Sequence, residues 1–162
     1  DAWNAVTFVD NHDAEPGQSL QSFVLSWFKP LAYALILLRI DGLPCVFYGD
    51  LYGIPAKNIP AVVELPTLMK IRELYAYGEQ HDYFDHPDVI GWTRSGSDEF
   101  TGSGLAVVLS NRCGGSKRMY IGTNHAGKEF RDILGHCTDT VTIDDEGCGE
   151  FSCCDGSVSV WL

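Results

Sequence analysis

Four consecutive polar residues, Asp10, Asn11, His12 and Asp13, follow directly after an apolar run over residues 5–9. A carboxylate on such a loop could act as a base or stabilise developing positive charge, and a neighbouring imidazole could donate hydrogen bonds to hydroxyl groups. Residue types alone leave two alternatives. One is a polar turn that caps the next helix. The other is a metal site, for which no further His lies at ligand spacing.

The elements that position this loop are indicated by hydrophobic periodicity. The near-continuous apolar run over 5–9 predicts a strand that is buried on both faces. Apolar residues recur at steps of three and four over 20–38, which predicts a helix kinked or split at Pro30. Residues 45–48 predict a second buried strand, and residues 60–76 predict a second helix.

This order of strand, helix, strand and helix is typical of parallel α/β architecture, in which function gathers where strands end. Glu15 and Asp50 lie in such loops, but no motif gives either one a role. Three aromatic residues of the first helix are expected to pack in the core: Trp27, Phe28 and Tyr33. Cys45 is expected to be a small buried hydrophobe.

The chain changes character near residue 80. From Asp82 onward, short β-type runs alternate with turn signals at a spacing of roughly ten residues, which predicts an antiparallel β-sandwich. The strand candidates are residues 89–94, 105–109, 118–121, 140–143, 149–152 and 158–161.

The overall composition excludes several classes of protein. The 162 residues carry a formal charge of −11, so binding to nucleic acids or to anionic membrane surfaces is disfavoured. Hydrophobic residues make up 45% of the chain, which is enough for a packed core. The longest apolar run, residues 31–38, is too short to span a bilayer.

Six cysteines lie at positions 45, 113, 137, 148, 153 and 154. Reduced structural thiols are the favoured interpretation, and one bridge within 113–154 or a metal site are the alternatives. Reduced thiols favour a cytoplasmic over a secreted protein, although the compartment stays open. The chain starts at Asp1 without Met, so we expect a processed or truncated chain.

The segment 8–13, Phe-Val-Asp-Asn-His-Asp, resembles the fourth conserved region of the α-amylase family, glycoside hydrolase family 13. Further segments resemble the bacterial liquefying and fungal intracellular-type α-amylases, and together the matches run through essentially all of the chain in order. These segments are residues 27–34, 46–50, 75–78, 81–85, 91–94 and 156–160.

The resemblance implies a fold and a site. Residues 1–80 would be the last two βα units of a (β/α)8 TIM barrel, and residues 81–162 would be domain C, an antiparallel Greek-key β-sandwich. Asp13 would be the third catalytic carboxylate, which hydrogen-bonds sugar hydroxyls and helps to stabilise the oxocarbenium-like transition state. His12 would bind the same sugar, and Asp10 and Asn11 would be supporting structure.

The resemblance also implies an enzymatic activity for which this chain lacks two of the catalytic residues. Retaining glycosidases need a nucleophile and a general acid about 5–5.5 Å apart, and in this family both lie on earlier barrel strands. We therefore expect a monomeric parent enzyme that cleaves α-1,4 bonds inside α-glucans such as starch, glycogen and maltooligosaccharides, and an inactive isolated chain. The alternatives are an α-glucosidase, a transglycosylase or a non-catalytic carbohydrate-binding sandwich.

Three further expectations follow. Some relatives bind calcium through residues that match Pro87 and Asp88, while Asn111 replaces a further Asp ligand; the main calcium site of the family would lie outside this chain. Trp3 and Tyr52 are candidate sugar platforms or barrel-rim contacts. The two predicted strands lack neighbours, so we expect an exposed apolar patch with open edges, and aggregation.

Overall fold

A pair of short parallel strands, β1 (Val6–Phe8) and β2 (Leu43–Cys45), organises the first part of the chain in the computed structural model. The structure describes residues 2–162, except for the side chain of Trp3. It divides into two compact units, the first ending at Lys70 and the second running from Ile71 to Leu162. Whether these units are the domains predicted from the sequence stays a prediction.

The two strands are exposed rather than buried on both faces. Val6 and Phe8 are 62% and 55% exposed, and Leu43 is 57% exposed. Cys45 is also exposed, so the expectation that it is a buried hydrophobe was wrong. Within the described residues, β1 and β2 pair only with each other, so no further strand covers them. The expected apolar patch with open edges is confirmed.

Three α-helices accompany these strands: α1 (Lys29–Leu38), α2 (Tyr48–Tyr52) and α3 (Leu65–Tyr75). The prediction of a helix over 20–38 was wrong in its first half, because residues 21–25 have no regular secondary structure and residues 26–28 form a turn. Pro30 falls in the first turn of α1, where its missing N–H costs no hydrogen bond, so the helix begins there instead of kinking. The apolar residues of the first half do not form a buried helix face, since Leu20 and Leu25 are exposed.

The second strand begins two residues and ends three residues earlier than predicted. The chain leaves β2 after Cys45, and α2 begins at Tyr48. The apolar residues 46–48 therefore connect a strand to a helix. The second predicted helix is confirmed over Leu65–Tyr75, with Pro66 in its first turn.

The second unit is built of antiparallel strands in three sheets. The largest sheet has the order β10-β5-β4-β3, and two-stranded sheets are formed by β6 with β9 and by β7 with β8. The strands are β3 (Gln80–Tyr83), β4 (Val89–Arg94), β5 (Leu105–Ser110), β6 (Gly115–Tyr120), β7 (Glu129–Arg131), β8 (Thr140–Thr142), β9 (Cys148–Cys153) and β10 (Val158–Trp161).

All six predicted strands of this half are present, and two strands were missed. The missed strands, β3 and β7, are rich in polar residues and carry little hydrophobic signal. The largest sheet is a three-stranded meander that the last strand extends, so it does not by itself contain the Greek-key order that we expected.

One apolar core joins the three sheets. Its fully buried aromatic members are Phe151 of β9 and Trp161 of β10, whose rings meet edge to face with centroids 6.0 Å apart. The remaining members of this cluster are Val89, Ala106, Val108, Met119, Ile121, Phe130, Val141, Ile143 and Cys153. Side chains from all three sheets thus contribute to a single core, as in sheet-on-sheet packing.

Candidate functional site

The polar residues of interest follow the carboxyl ends of the two parallel strands. Residues 10–13 come after β1, and Asp50 lies in α2, shortly after β2. Asp10 and Asp50 both contact the ammonium group of Lys29, so the two segments meet at one edge of the parallel pair. This is the edge at which parallel α/β folds place their binding residues.

Asp13 and His12 project into solvent from this edge. The side chain of Asp13 is 67% exposed and that of His12 is 84% exposed. His12 Nε2 lies 3.4 Å from Asp13 Oδ1, so the two side chains can address one ligand. Neither side chain points into the interior. An inward orientation would have excluded a role in binding substrate. Their catalytic and substrate-binding roles stay predictions.

Asn11 fixes the backbone beneath Asp13. Its Oδ1 accepts hydrogen bonds from the backbone N–H groups of Asp13 at 2.9 Å and Ala14 at 3.0 Å. Such an Asx turn holds the chain in a defined bend. The interpretation of Asn11 as supporting structure is confirmed.

Asp10 anchors the start of the same loop in the interior. The residue is 3% exposed, and its Oδ1 accepts a hydrogen bond from the backbone N–H of Val24 at 3.0 Å. Its Oδ2 accepts no aligned hydrogen bond from the described residues, but Lys29 Nζ lies 2.9 Å away, so this contact is electrostatic. Asp10 therefore supports the loop, as the resemblance implied.

Lys29 lies between two buried carboxylates, and sequence reasoning missed it. Its ammonium group donates to Asp50 Oδ1 and lies 3.5 Å from the centroid of the Phe23 ring. The side chain of Lys29 is 4% exposed and that of Asp50 is 1% exposed. A lysine within an aromatic and apolar helix start is the signal that could have pointed to a buried ion pair.

Tyr33 completes this buried network. Its hydroxyl donates to Asp50 Oδ2 at 2.7 Å and accepts from the backbone N–H of Phe47 at 3.4 Å. Burial and the adjacent Asp50 carboxylate raise the pKa of Tyr33 well above its usual value. The network ties α1 to α2 and thereby fixes the edge that carries Asp13. Asp50 is structural in this arrangement.

Glu15 is held in an ion pair on the far side of the same loop. Lys57 Nζ lies 2.6 Å from Glu15 Oε1 and donates to the carbonyl of Pro16 at 2.7 Å. The hydrogen bond from Lys57 holds the pKa of the Glu15 carboxyl below its ordinary value. Glu15 is therefore an anionic partner of Lys57, which fits the absence of a catalytic motif around it.

The aromatic residues of the predicted first helix are not all buried in the core. Tyr33 is fully buried, but Trp27 is 49% exposed, so its assignment to the core was wrong. Trp27 instead meets Phe28 edge to face, with centroids 5.3 Å apart. Tyr52 is 63% exposed and its ring lies 4.6 Å from that of Tyr48. The side chain of Trp3 lies outside the described part of the chain.

Comparison with known proteins gives a consistent result. Residues 105–162 match the family model described as "Alpha-amylase C-terminal". An α-amylase of Geobacillus stearothermophilus is 61% identical over 159 residues, which are 98% of this chain and 29% of that protein. A glucan 1,4-α-maltohexaosidase of Bacillus sp. (strain 707) is 53% identical over 160 residues, which are 98% of this chain and 31% of that protein. Over 98% of its length, this chain is therefore similar to α-amylases.

The fold agrees with that similarity. The crystal structure of AmyP in complex with maltose matches 97% of this chain with a TM-score of 0.61 at 12% sequence identity. The match covers 40% of AmyP. Our chain spans under a third of the length of the two curated relatives. No helix of the described residues is long and apolar enough to cross a membrane.

Calcium is the metal that the resemblance implies at Asp88, and this role stays a prediction. Asp88 Oδ1 lies 3.6 Å from Arg112 Nε, so a cationic side chain already faces this carboxylate. The carbonyl of Asp88 accepts the backbone N–H of Asn111 at 3.2 Å. Across residues 2–162, no three His, Cys, Asp or Glu side chains form a group that could hold a metal ion.

Proposed function

We propose that this chain supplies part of the substrate site of a retaining, endo-acting α-1,4-glucan hydrolase. The observation that carries the proposal is the exposed pair of His12 and Asp13 at the carboxyl edge of β1, in a chain that is 61% identical to an α-amylase. In this role Asp13 hydrogen-bonds the sugar beside the scissile bond and stabilises the positive charge of the transition state. His12 donates a hydrogen bond to the same sugar.

The substrate class follows from the relatives. The curated relatives are an α-amylase and a maltohexaosidase, and a solved structure of the same fold is a maltose complex. We therefore propose starch, glycogen and maltooligosaccharides as substrates of the complete enzyme, which we expect to be monomeric. The parallel pair β1 and β2 would belong to a (β/α)8 barrel, which explains why Val6 and Phe8 are exposed in this chain alone.

The isolated chain is expected to be inactive. A retaining mechanism needs a nucleophile and a general acid about 5–5.5 Å apart. The resemblance assigns both to earlier barrel strands, and two other carboxylates of the first unit, Glu15 and Asp50, are held by Lys57 and Lys29. Clear starch hydrolysis by the isolated chain would contradict this expectation. The calcium of the family would bind the complete enzyme outside this chain.

The test is a chimera in which this chain replaces the matching residues of the Geobacillus α-amylase. We expect the chimera to hydrolyse starch, and Asp13→Asn to lower its kcat by at least about 100-fold, as for the loss of a group that stabilises transition-state charge. Asp98→Asn, a matched change at an exposed turn, is the control and should retain full activity. A folded chimera that is inactive, or an unaffected Asp13→Asn variant, would refute the proposal.

The same chimera separates the alternatives. Product analysis on long maltooligosaccharides distinguishes internal cleavage from the release of single glucose units by an α-glucosidase, and from the longer products of a transglycosylase. A carbohydrate-binding role of the sandwich requires binding without Asp13. Titration of the Asp13→Asn chain with maltooligosaccharides tests this, and unchanged affinity would favour the binding module.

A further inference from the structure

Two thiols of the second unit lie in contact. Cys137 Sγ is 3.8 Å from Cys154 Sγ, although the residues are separated by the whole of β8 and β9. Both cysteines are reduced in this structure. A disulfide requires the sulfurs to approach to about 2.05 Å, with their Cβ atoms about 3.5–4.5 Å apart. Cys154 is exposed, so its side chain has room to rotate toward Cys137.

The backbone on the Cys137 side is firmly held. Asp132 is 8% exposed, and its Oδ2 accepts the backbone N–H groups of His136 at 2.8 Å and Cys137 at 3.0 Å. Its Oδ1 accepts those of Leu134 at 3.1 Å and Val160 at 2.9 Å. One buried carboxylate thus fixes the loop that carries Cys137 against β10. The approach of the two sulfurs is therefore built into the fold.

The Cys154 side is fixed by the end of β9. Cys153 points into the core and is 5% exposed, so the alternation of side chains along a strand turns Cys154 outward. Cys154 Sγ donates to the carbonyl of His136 at 3.2 Å, directly before Cys137. This contact holds Cys154 beside its partner.

Two other pairings within 113–154 are less favourable. A bridge between Cys153 and Cys154 would pull the buried Cys153 side chain out of the core. A bridge between Cys148 and Cys153 is also unfavourable. The two residues lie five positions apart on β9, which corresponds to about 17 Å along an extended strand. The sequence left open one bridge anywhere within 113–154, and the contact between Cys137 and Cys154 selects one pairing.

We propose that Cys137 and Cys154 are a site of reversible oxidation that closes to a disulfide. With a small-molecule disulfide such as oxidised glutathione, the exposed Cys154 thiolate attacks one sulfur and releases one glutathione thiolate. Cys137 then attacks the Cys154 sulfur of the mixed disulfide and releases the second glutathione thiolate. The protein loses two electrons and two protons, and one oxidised glutathione becomes two reduced glutathione molecules.

The test uses the whole chain in its native state. It is incubated with excess oxidised glutathione, blocked with an alkylating agent and mapped by mass spectrometry after digestion. We expect a single internal cross-link between Cys137 and Cys154, and a fall in free thiols from six to four. Dithiothreitol should restore all six. The oxidised chain should also melt at a higher temperature, because the cross-link closes a loop in the unfolded chain.

Variants sharpen the result. Cys137→Ser and Cys154→Ser should each abolish the cross-link, and Cys137→Ser should stop at the glutathione adduct on Cys154. Cys113→Ser, a change at an exposed cysteine, is the matched control and should still form the bridge. Six free thiols after oxidation, a stable adduct on Cys154 in the unsubstituted chain, or a bridge between any other pair would overturn the proposal.

Discussion

The ammonium group of Lys29 lies 2.9 Å from the Asp10 carboxylate inside the protein, with both side chains at most 4% exposed. Asp10 begins the loop that ends in Asp13, and Lys29 begins α1. The position of the exposed candidate residues is thus tied to a buried ion pair. Lys29 also holds Asp50, so one cation compensates two buried carboxylates.

Removal of this cation should strongly destabilise the first unit. In Lys29→Met, Asp10 and Asp50 stay buried without their counter-charge, and we expect a loss of about 3–5 kcal/mol in the free energy of unfolding. Lys70→Met makes the same change at an exposed position of α3, where we expect an effect within about 0.5 kcal/mol. Urea denaturation measures both. Equal effects of the two substitutions would contradict the role of the buried pair.

Asn11 should act on kcat through the position of Asp13. In the chimera described above, Asn11→Ala removes the oxygen that accepts the N–H groups of Asp13 and Ala14, and we expect kcat to fall by about 100-fold from misplacement alone. KM should change little. Asn11→Asp keeps an acceptor oxygen at the same place and should restore most of the activity. A wild-type kcat for Asn11→Ala would count against this positioning.

Tyr33 should not ionise with an ordinary tyrosine pKa. Burial and the Asp50 carboxylate raise its pKa in the folded chain, while the unfolded chain titrates at about 10. The hydroxyl therefore favours folding below about pH 10, and this contribution is lost as the pH rises beyond that value. Ultraviolet titration of the native chain near pH 10 should give the same amplitude for Tyr33→Phe as for the unsubstituted chain. A smaller amplitude in the variant would show that Tyr33 ionises normally.

His125 should make the second unit sensitive to acid. Burial lowers the pKa of His125, whose Nε2 lies 2.9 Å from the Ser95 carbonyl, whereas in the unfolded chain it titrates at about 6.5. The unfolded state therefore binds the proton first, and stability falls as the pH drops below about 6.5. Between about pH 7.5 and pH 5.5, the Tm of the unsubstituted chain should fall more than that of His125→Gln. Parallel curves for the two proteins would refute this.

The exposed strands should drive self-association of the isolated chain. Val6 and Phe8 form an apolar edge that no other described strand covers. Replacement of both by Thr keeps β propensity but removes apolar surface, so the monomer fraction in analytical ultracentrifugation should rise. Val63→Thr, at a position that is 84% exposed outside the strands, is the control and should change nothing. An unsubstituted chain that is already entirely monomeric would contradict the expectation.

The sequence determined the elements whose signals are local. Six of the eight strands of the second half were recoverable because each short apolar run is bounded by turn residues, and the polar loop 10–13 was recognisable because it follows a strand directly. The resemblance implied that Asn11 is supporting structure, and the structure adds how: its Oδ1 accepts the backbone N–H groups of Asp13 and Ala14.

Only the tertiary structure decided which residues meet across the chain. The contact of Lys29 with Asp10 and Asp50 joins positions 19 and 21 residues apart, and Cys137 meets Cys154 because Asp132 and β9 hold two distant segments together. The exposure of Phe8, Trp27 and Cys45 is also a tertiary outcome, because burial depends on which strands and helices lie alongside. Periodicity specifies the direction in which a side chain points, and packing alone decides what it meets there.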